Sequence, residues 1–203
     1  MMRQWRPIVT KLKLIAAAVL ALILPLLSCA PSHRPAGTLP TAQPQPRVDA
    51  SGLERRIHKL INRERQKHGL DQLAWNDVLS RVARGHSKDM AKRNYFSHDS
   101  PEGHDFTYRY RSEGYACALR TGMTIHGGAE NIFQNNLYDS VTKVNGKAYY
   151  DWNTEEQIAE TTVRGWMDSP GHRKNILTPH WRTEGIGVHI GPAEKIYITQ
   201  NFC

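Results

Sequence analysis

The sequence predicts an α+β fold in which helices cover an antiparallel sheet. Three observations carry that expectation. Leu53, Ile57, Leu60 and Ile61 recur at helical spacing, and Leu79, Val82, Ala83, His86 and Met90 share one face of a second helix. Asn145-Gly146 stands between two strand-forming runs, a strong hairpin signal. Near the C-terminus Ile186, Val188 and Ile190 alternate with Gly187 and His189, as in a half-buried strand. The 203 residues are 39% hydrophobic and 23% charged, which is ordinary globular usage. That excludes a wholly disordered chain, a collagen-like fibre and a polytopic membrane protein. Three cysteines are too few for a dense disulfide scaffold.

Residues 1–28 read as an address. Arg3, Arg6, Lys11 and Lys13 form a basic start, followed by an uncharged, largely apolar run from Leu14 to Leu27. That run is short for a membrane helix and fits a secretory signal, with a retained interfacial helix as the alternative. Leu26-Leu27-Ser28-Cys29 resembles a lipobox, so acylation of Cys29 is expected to anchor the chain; plain secretion with nearby cleavage is the alternative. Removing residues 1–28 takes away four cations and no anion, and the net charge falls from +8 to +4. No block of five like charges remains, so a nucleic-acid partner is not expected. Five prolines between Pro31 and Pro46 make residues 29–50 an extended tether.

The remaining elements follow in order. Ser51 and Glu54 have the spacing of a capping box at the first helix, which Gly69 closes. The second helix starts near Asn76. A third runs from Asp105 to about Glu113, stopped by Gly114. Residues 135–153 hold the hairpin. Thr154 to Gln157 repeats the capping-box pattern and opens a helix with Ile158, Val163 and Trp166 on one side, ended by Ser169-Pro170-Gly171. Two strands close the chain, about 184–190 and 196–202.

Four short blocks then occur in order: Tyr95-Phe96-Ser97-His98, Ala129-Glu130-Asn131-Ile132, the run Ser169 to Leu177 containing Pro170-Gly171-His172, and Thr183-Glu184-Gly185-Ile186-Gly187-Val188. With Leu60-Ile61-Asn62-Arg63-Glu64-Arg65 ahead of them, they resemble the bacterial branch of the CAP superfamily of cysteine-rich secretory, venom-antigen and pathogenesis-related proteins. The resemblance covers residues 53–203 and implies a CAP domain over 51–203, built as a three-layer α-β-α sandwich with a cleft. It also implies a cleft tetrad of His98, Glu130, His172 and Glu184, with a divalent cation, zinc foremost, between His98 and His172. Two departures stand out. Ala129 replaces the usual glycine, and the hairpin at 135–153 looks like an insertion that would wall or cover the cleft.

Two imidazoles and two carboxylates are a minimal metal-site kit, the carboxylates fixing ring tautomers. A catalytic zinc has three protein ligands and a water, and only two are secure here. Without metal the same four groups can simply stitch loops together. Three functional readings follow: a module binding an extended envelope lipid, glycan or peptide; a metal-dependent hydrolase with Glu130 or Glu184 as general base; and a stress or assembly protein in which the tetrad only stabilises. His86 is expected to be a hydrogen-bonded core histidine, and Trp166 and Trp181 core anchors. His126 is expected in a solvated loop and Arg173 and Lys174 in a solvated turn. Asn131 is expected to pin the turn after Glu130. With Cys29 acylated, Cys117 and Cys203 are left to form one disulfide in an oxidising compartment, the alternative being two buried thiols.

Overall fold

The computed structural model describes residues 44–203. The signal segment, the lipobox with Cys29 and most of the tether lie outside the described residues. Five helices and eight strands follow: α1 (Ala50–Lys67), β1 (Ala74–Trp75), α2 (Asp77–Arg93), α3 (Phe106–Ser112), β2 (Leu119–Thr121), β3 (Thr124–His126), β4 (Ala129–Asn136), β5 (Tyr138–Val144), β6 (Lys147–Trp152), α4 (Glu155–Asp168), α5 (Pro170–Ile176), β7 (Thr183–Ile190) and β8 (Lys195–Phe202). The central sheet has the order β1-β7-β8-β4 and is antiparallel except for the short β1–β7 pair. Pairs β2–β3 and β5–β6 stand apart as two-stranded ribbons.

Helices cover both faces of the sheet, giving the α-β-α sandwich. On one face, Leu53, Ile57 and Ile61 of α1 and Ile158, Val163 and Trp166 of α4 pack on Ile186, Val188, Ile198 and Phe202. On the other face α2 lies directly against β7. A Cβ placed on Gly187 would come within 2.0 Å of the Arg84 backbone nitrogen, so only glycine allows this approach. A second glycine serves the entry to β4: Gly128 has φ +105°, and a Cβ there would lie 2.7 Å from the Phe202 carbonyl oxygen.

Helix boundaries follow local chemistry. Asn76 caps α2 through the amides of Val78 and Leu79, and Asp105 caps α3 through Tyr108. Thr154 and Gln157 form the reciprocal capping box of α4. At α1 the expectation fails. The N-cap is Asp49, whose carboxylate accepts the Ser51 amide, and Glu54 is buried instead. Glu54 accepts the Val188 amide at 3.0 Å and a forked contact from Arg84. Among the described residues, no strand lies along the outer edge of β7 beyond the two residues paired with β1. A buried carboxylate takes the strand's place there, which satisfies an amide that would otherwise be stranded. The Ser169-Pro170-Gly171 segment also does more than end α4. Proline at the first helical position starts α5 at once, because its missing N–H is unpaired there anyway.

The hairpin β5–β6 turns at Asn145-Gly146, both at positive φ. Its base is tied by the Leu137 amide to Glu194 and by the Asn153 amide to Leu137. It leaves the far end of β4, about 20 Å along that strand from Glu130 at 3.3 Å per residue. Its cavity is shared with α4, not with His98 or His172, which corrects the expectation that it walls the tetrad cleft.

Trp166 is fully buried and donates its indole N–H to the Ile132 carbonyl at 3.0 Å. Trp181 is buried and donates to Asn175. Cys117 and Cys203 are joined in a disulfide with a Cα–Cα distance of 5.6 Å.

Candidate functional site

Glu130 is the second residue of β4, on the sheet face that meets α2. It is 4% exposed and both its carboxylate oxygens are engaged. One accepts from Arg109 Nη2 at 2.7 Å and the other from His98 Nδ1 at 3.0 Å. Arg109 projects from α3 and also donates to the carbonyls of His98 and His104. It therefore clamps the loop that carries His98 as well as the carboxylate that orients the ring. The tautomer with Nδ1–H toward Glu130 leaves Nε2 of His98 facing outward, on a side chain 49% exposed.

His172 arrives from α5. Its ring centre lies 6.5 Å from that of His98. Burial and the neighbouring His98 both lower its pKa, so the ring is held neutral. The position of α5 is set by amides. Asn131 donates to the His172 carbonyl and to Gln200 Oε1, and accepts from Asn175. Asn175 also donates to the Glu130 carbonyl at 3.1 Å. Together with Trp166 on Ile132, these side chains cover the outer edge of β4.

The fourth expected member is elsewhere. Strand register aligns Glu130 with Asn201 and Gly185, and Ala129 with Phe202 and Glu184. Adjacent rows point to opposite faces, so Glu184 faces α1 while Glu130 faces α2. Glu184 is fully buried and held by His58 Nδ1 at 2.5 Å and Gln200 Nε2 at 2.5 Å. The tetrad thus divides: His98, Glu130 and His172 meet at the start of β4, and Glu184 forms a separate pair with His58. The two are linked through the amides of Gln200 and Asn131. His58, Arg109, Asn175 and Gln200 escaped the sequence reading. A polar His58 wedged between Ile57 and the buried turn of Ile61 and Asn62 was the available signal for the first of them.

Residues 58–202 match the profile of the CAP, or cysteine-rich secretory protein, family. The chain belongs to the CAP family. Among curated relatives, the CAP domain is 33% identical over 137 residues to the uncharacterized protein YkwD of Bacillus subtilis, covering 68% of this chain and 42% of that protein. It is 35% identical over 149 residues to the uncharacterized membrane protein YlbC of the same organism, covering 73% and 34%. The chain thus spans less than half the length of either relative. An extracellular protein containing an SCP domain from Bacillus anthracis superposes with TM-score 0.56 at 31% identity, over 75% of this chain and 40% of that one. An outer surface protein of Borrelia burgdorferi, at 13% identity and TM-score 0.54, covers 78% and 96% and shares the fold.

Does the CAP site fit a metal? An ion about 2.1 Å from one nitrogen of each ring would lie about 3.2 Å from each ring centre. The 6.5 Å between His98 and His172 is therefore at the far limit of what one ion bridges. Glu130 is spent on Arg109 and His98, and among the described residues no three His, Cys, Asp or Glu side chains group to hold an ion. The donor set offers a cation at most two ring nitrogens, at full stretch. It does not fit a catalytic zinc, which needs three.

Other histidines are accounted for. His86 is buried against the Ser97 carbonyl at 3.0 Å, with Glu130 3.9 Å away. His126 does not stand in solvent alone: it stacks on His180 at 3.9 Å and bonds Thr121. Arg173 and Lys174 are exposed in the last turn of α5. Burial is the main force lowering the pKa of His86, His180 and His189. Each then binds protons more readily in the unfolded chain, so the stability they contribute is complete above about pH 6.5 and is lost as pH falls through their folded values. We expect the melting temperature to drop between pH 7.5 and 5.5, by less in a His86→Gln variant. A flat profile across that window would contradict this assignment.

Proposed function

We propose that this CAP domain is an extracytoplasmic recognition module and not a hydrolase. His98 and His172 form its ligand-contacting end, where they meet an extended envelope lipid, glycan or peptide and exchange a divalent cation, zinc foremost. Acylated Cys29 and the proline-rich tether hold the module at a membrane, on the periplasmic or extracellular side. The disulfide and the extracellular Bacillus anthracis relative support that side of the membrane.

The observation that carries the reading is the double engagement of Glu130. A general base needs an oxygen free to take a proton from water or substrate. Glu130 has one oxygen on a guanidinium and the other on an imidazole, and Glu184 is sealed beneath α1. Both carboxylates position other groups. The test is turnover of a mixed peptide and ester library by wild type and Glu130→Gln, with and without added zinc. No turnover above blank is expected for either. Zinc-dependent turnover that disappears in Glu130→Gln would reinstate the hydrolase.

A further inference from the structure

The hairpin that departs from β4 carries chemistry unrelated to the histidine site. Register places Tyr138 opposite Trp152 and Val141 opposite Tyr150, and these four side chains share one face of the ribbon. Trp152 stacks on Tyr150 with ring centres 4.7 Å apart, and Tyr138 meets both edge-on, at 5.1 Å from Tyr150 and 6.2 Å from Trp152. A two-stranded ribbon gains little stability by itself. Here it holds a built aromatic cluster, and Val141 at its margin remains 41% exposed.

Trp152 also forms part of a cavity of about 320 Å³ between the hairpin and α4. The hairpin contributes Asp139 and Asp151 beside Trp152, and α4 contributes Gln157, Glu160 and Arg164. Apart from the indole, these are planar polar groups: carboxylates, an amide and a guanidinium. Such groups pair with two neighbouring hydroxyls at once, while an aromatic wall takes the C–H face of a sugar ring. Two other ligand classes suit the lining less well. The acidic groups do not gather into a cation cage, since among the described residues no three metal-binding side chains are suitably grouped. Three carboxylates against one guanidinium disfavour an anionic ligand.

We propose that this cavity is a sugar-binding subsite, taking one or two neutral, hydroxyl-rich hexose units of an envelope polysaccharide. It is separate from the His98–His172 site and does not depend on the function proposed for that site. The inserted hairpin then has a physical purpose: it supplies Trp152 and two of the hydroxyl acceptors to a helix that already carries the others.

The test is calorimetric titration of the full-length protein with β-1,4-linked N-acetylglucosamine oligomers, and in parallel with an oligomer of uronic acids of equal length. Saturable binding of the neutral oligomer is expected, about tenfold tighter than that of the uronate. Asp151→Ala and Glu160→Ala, both at exposed positions, should each weaken it about tenfold, the usual worth of a charge-assisted hydrogen bond. Trp152→Ala should abolish it. Because Trp152 also touches the core, the two acidic variants decide the matter if that protein fails to fold. Thr142→Ala, nearer the turn of the ribbon and outside the cavity lining, should bind as wild type. Absence of saturable binding, equal or tighter binding of the uronate, or full binding by both acidic variants would overturn the proposal.

Discussion

Replacing Gly187 with alanine is expected to unfold this domain at physiological temperature. The added methyl would sit 2.0 Å from the Arg84 nitrogen, 2.2 Å from the Ala83 carbonyl carbon and 2.6 Å from the Arg84 Cα. All three are backbone atoms of α2, so no side chain can swing away to make room. Relief requires the helix to lift from β7. That motion would break the Ser87 hydroxyl contacts to the Gly187 carbonyl and to Thr199, and would drag on Glu54 through Arg84. Ordinary overpacking costs about 1–3 kcal/mol. Displacing a helix from its sheet should exceed that, at about 4 kcal/mol or more, a large part of a typical domain's stability. Urea denaturation of the purified variant measures it. A midpoint within experimental error of wild type would mean that the helix is not seated as described.

Reduction of the disulfide should have the next largest effect. Cys117 and Cys203 are 86 residues apart, and closing a loop of that length contributes about 4–5 kcal/mol in the chain-entropy model. The bridge joins the segment after α3 to the last residue of the chain. Cys203 is also held by β7, its carbonyl accepting the amides of Arg182 and Thr183 and its own amide donating to Thr183. Tyr110, Leu79 and Val82 pack around it. Loss of the bridge therefore frees α3, and with it Arg109 and the His98 loop. A fall in melting temperature of about 8–20 °C is expected for the reduced protein or a Cys117→Ser variant, with coupled loss of order at His98. A shift of only one or two degrees would contradict the entropic estimate.

How much of this was legible beforehand depended on the range of the interaction. Amphipathic faces on α1, α2 and α4, the helix starts at Asn76 and Asp105 and the Asn145-Gly146 turn are local signals, decided within a few residues, and they matched the structure. Glu54 failed because its real partner, Val188, is 134 residues away and outcompetes a local cap. Glu184 failed for a related reason. Its motif placed it correctly on β7, but which sheet face it takes follows from strand register. Its partner His58 lies 126 residues earlier on a helix, in a position with no motif around it. Motifs located His98, Glu130 and His172, whereas Arg109, which fixes two of them, stood in a seven-residue helix with no distinguishing pattern.

His98 and His172 converge at the start of β4, while Glu184 belongs to a different pair with His58. Calorimetric titration of zinc into wild type, His98→Ala, His172→Ala and His58→Ala tests it most directly. One weak equivalent is expected in wild type, lost in the first two variants and retained in His58→Ala. Zinc binding that survives His172→Ala, or that vanishes in His58→Ala while the protein stays folded, would contradict it.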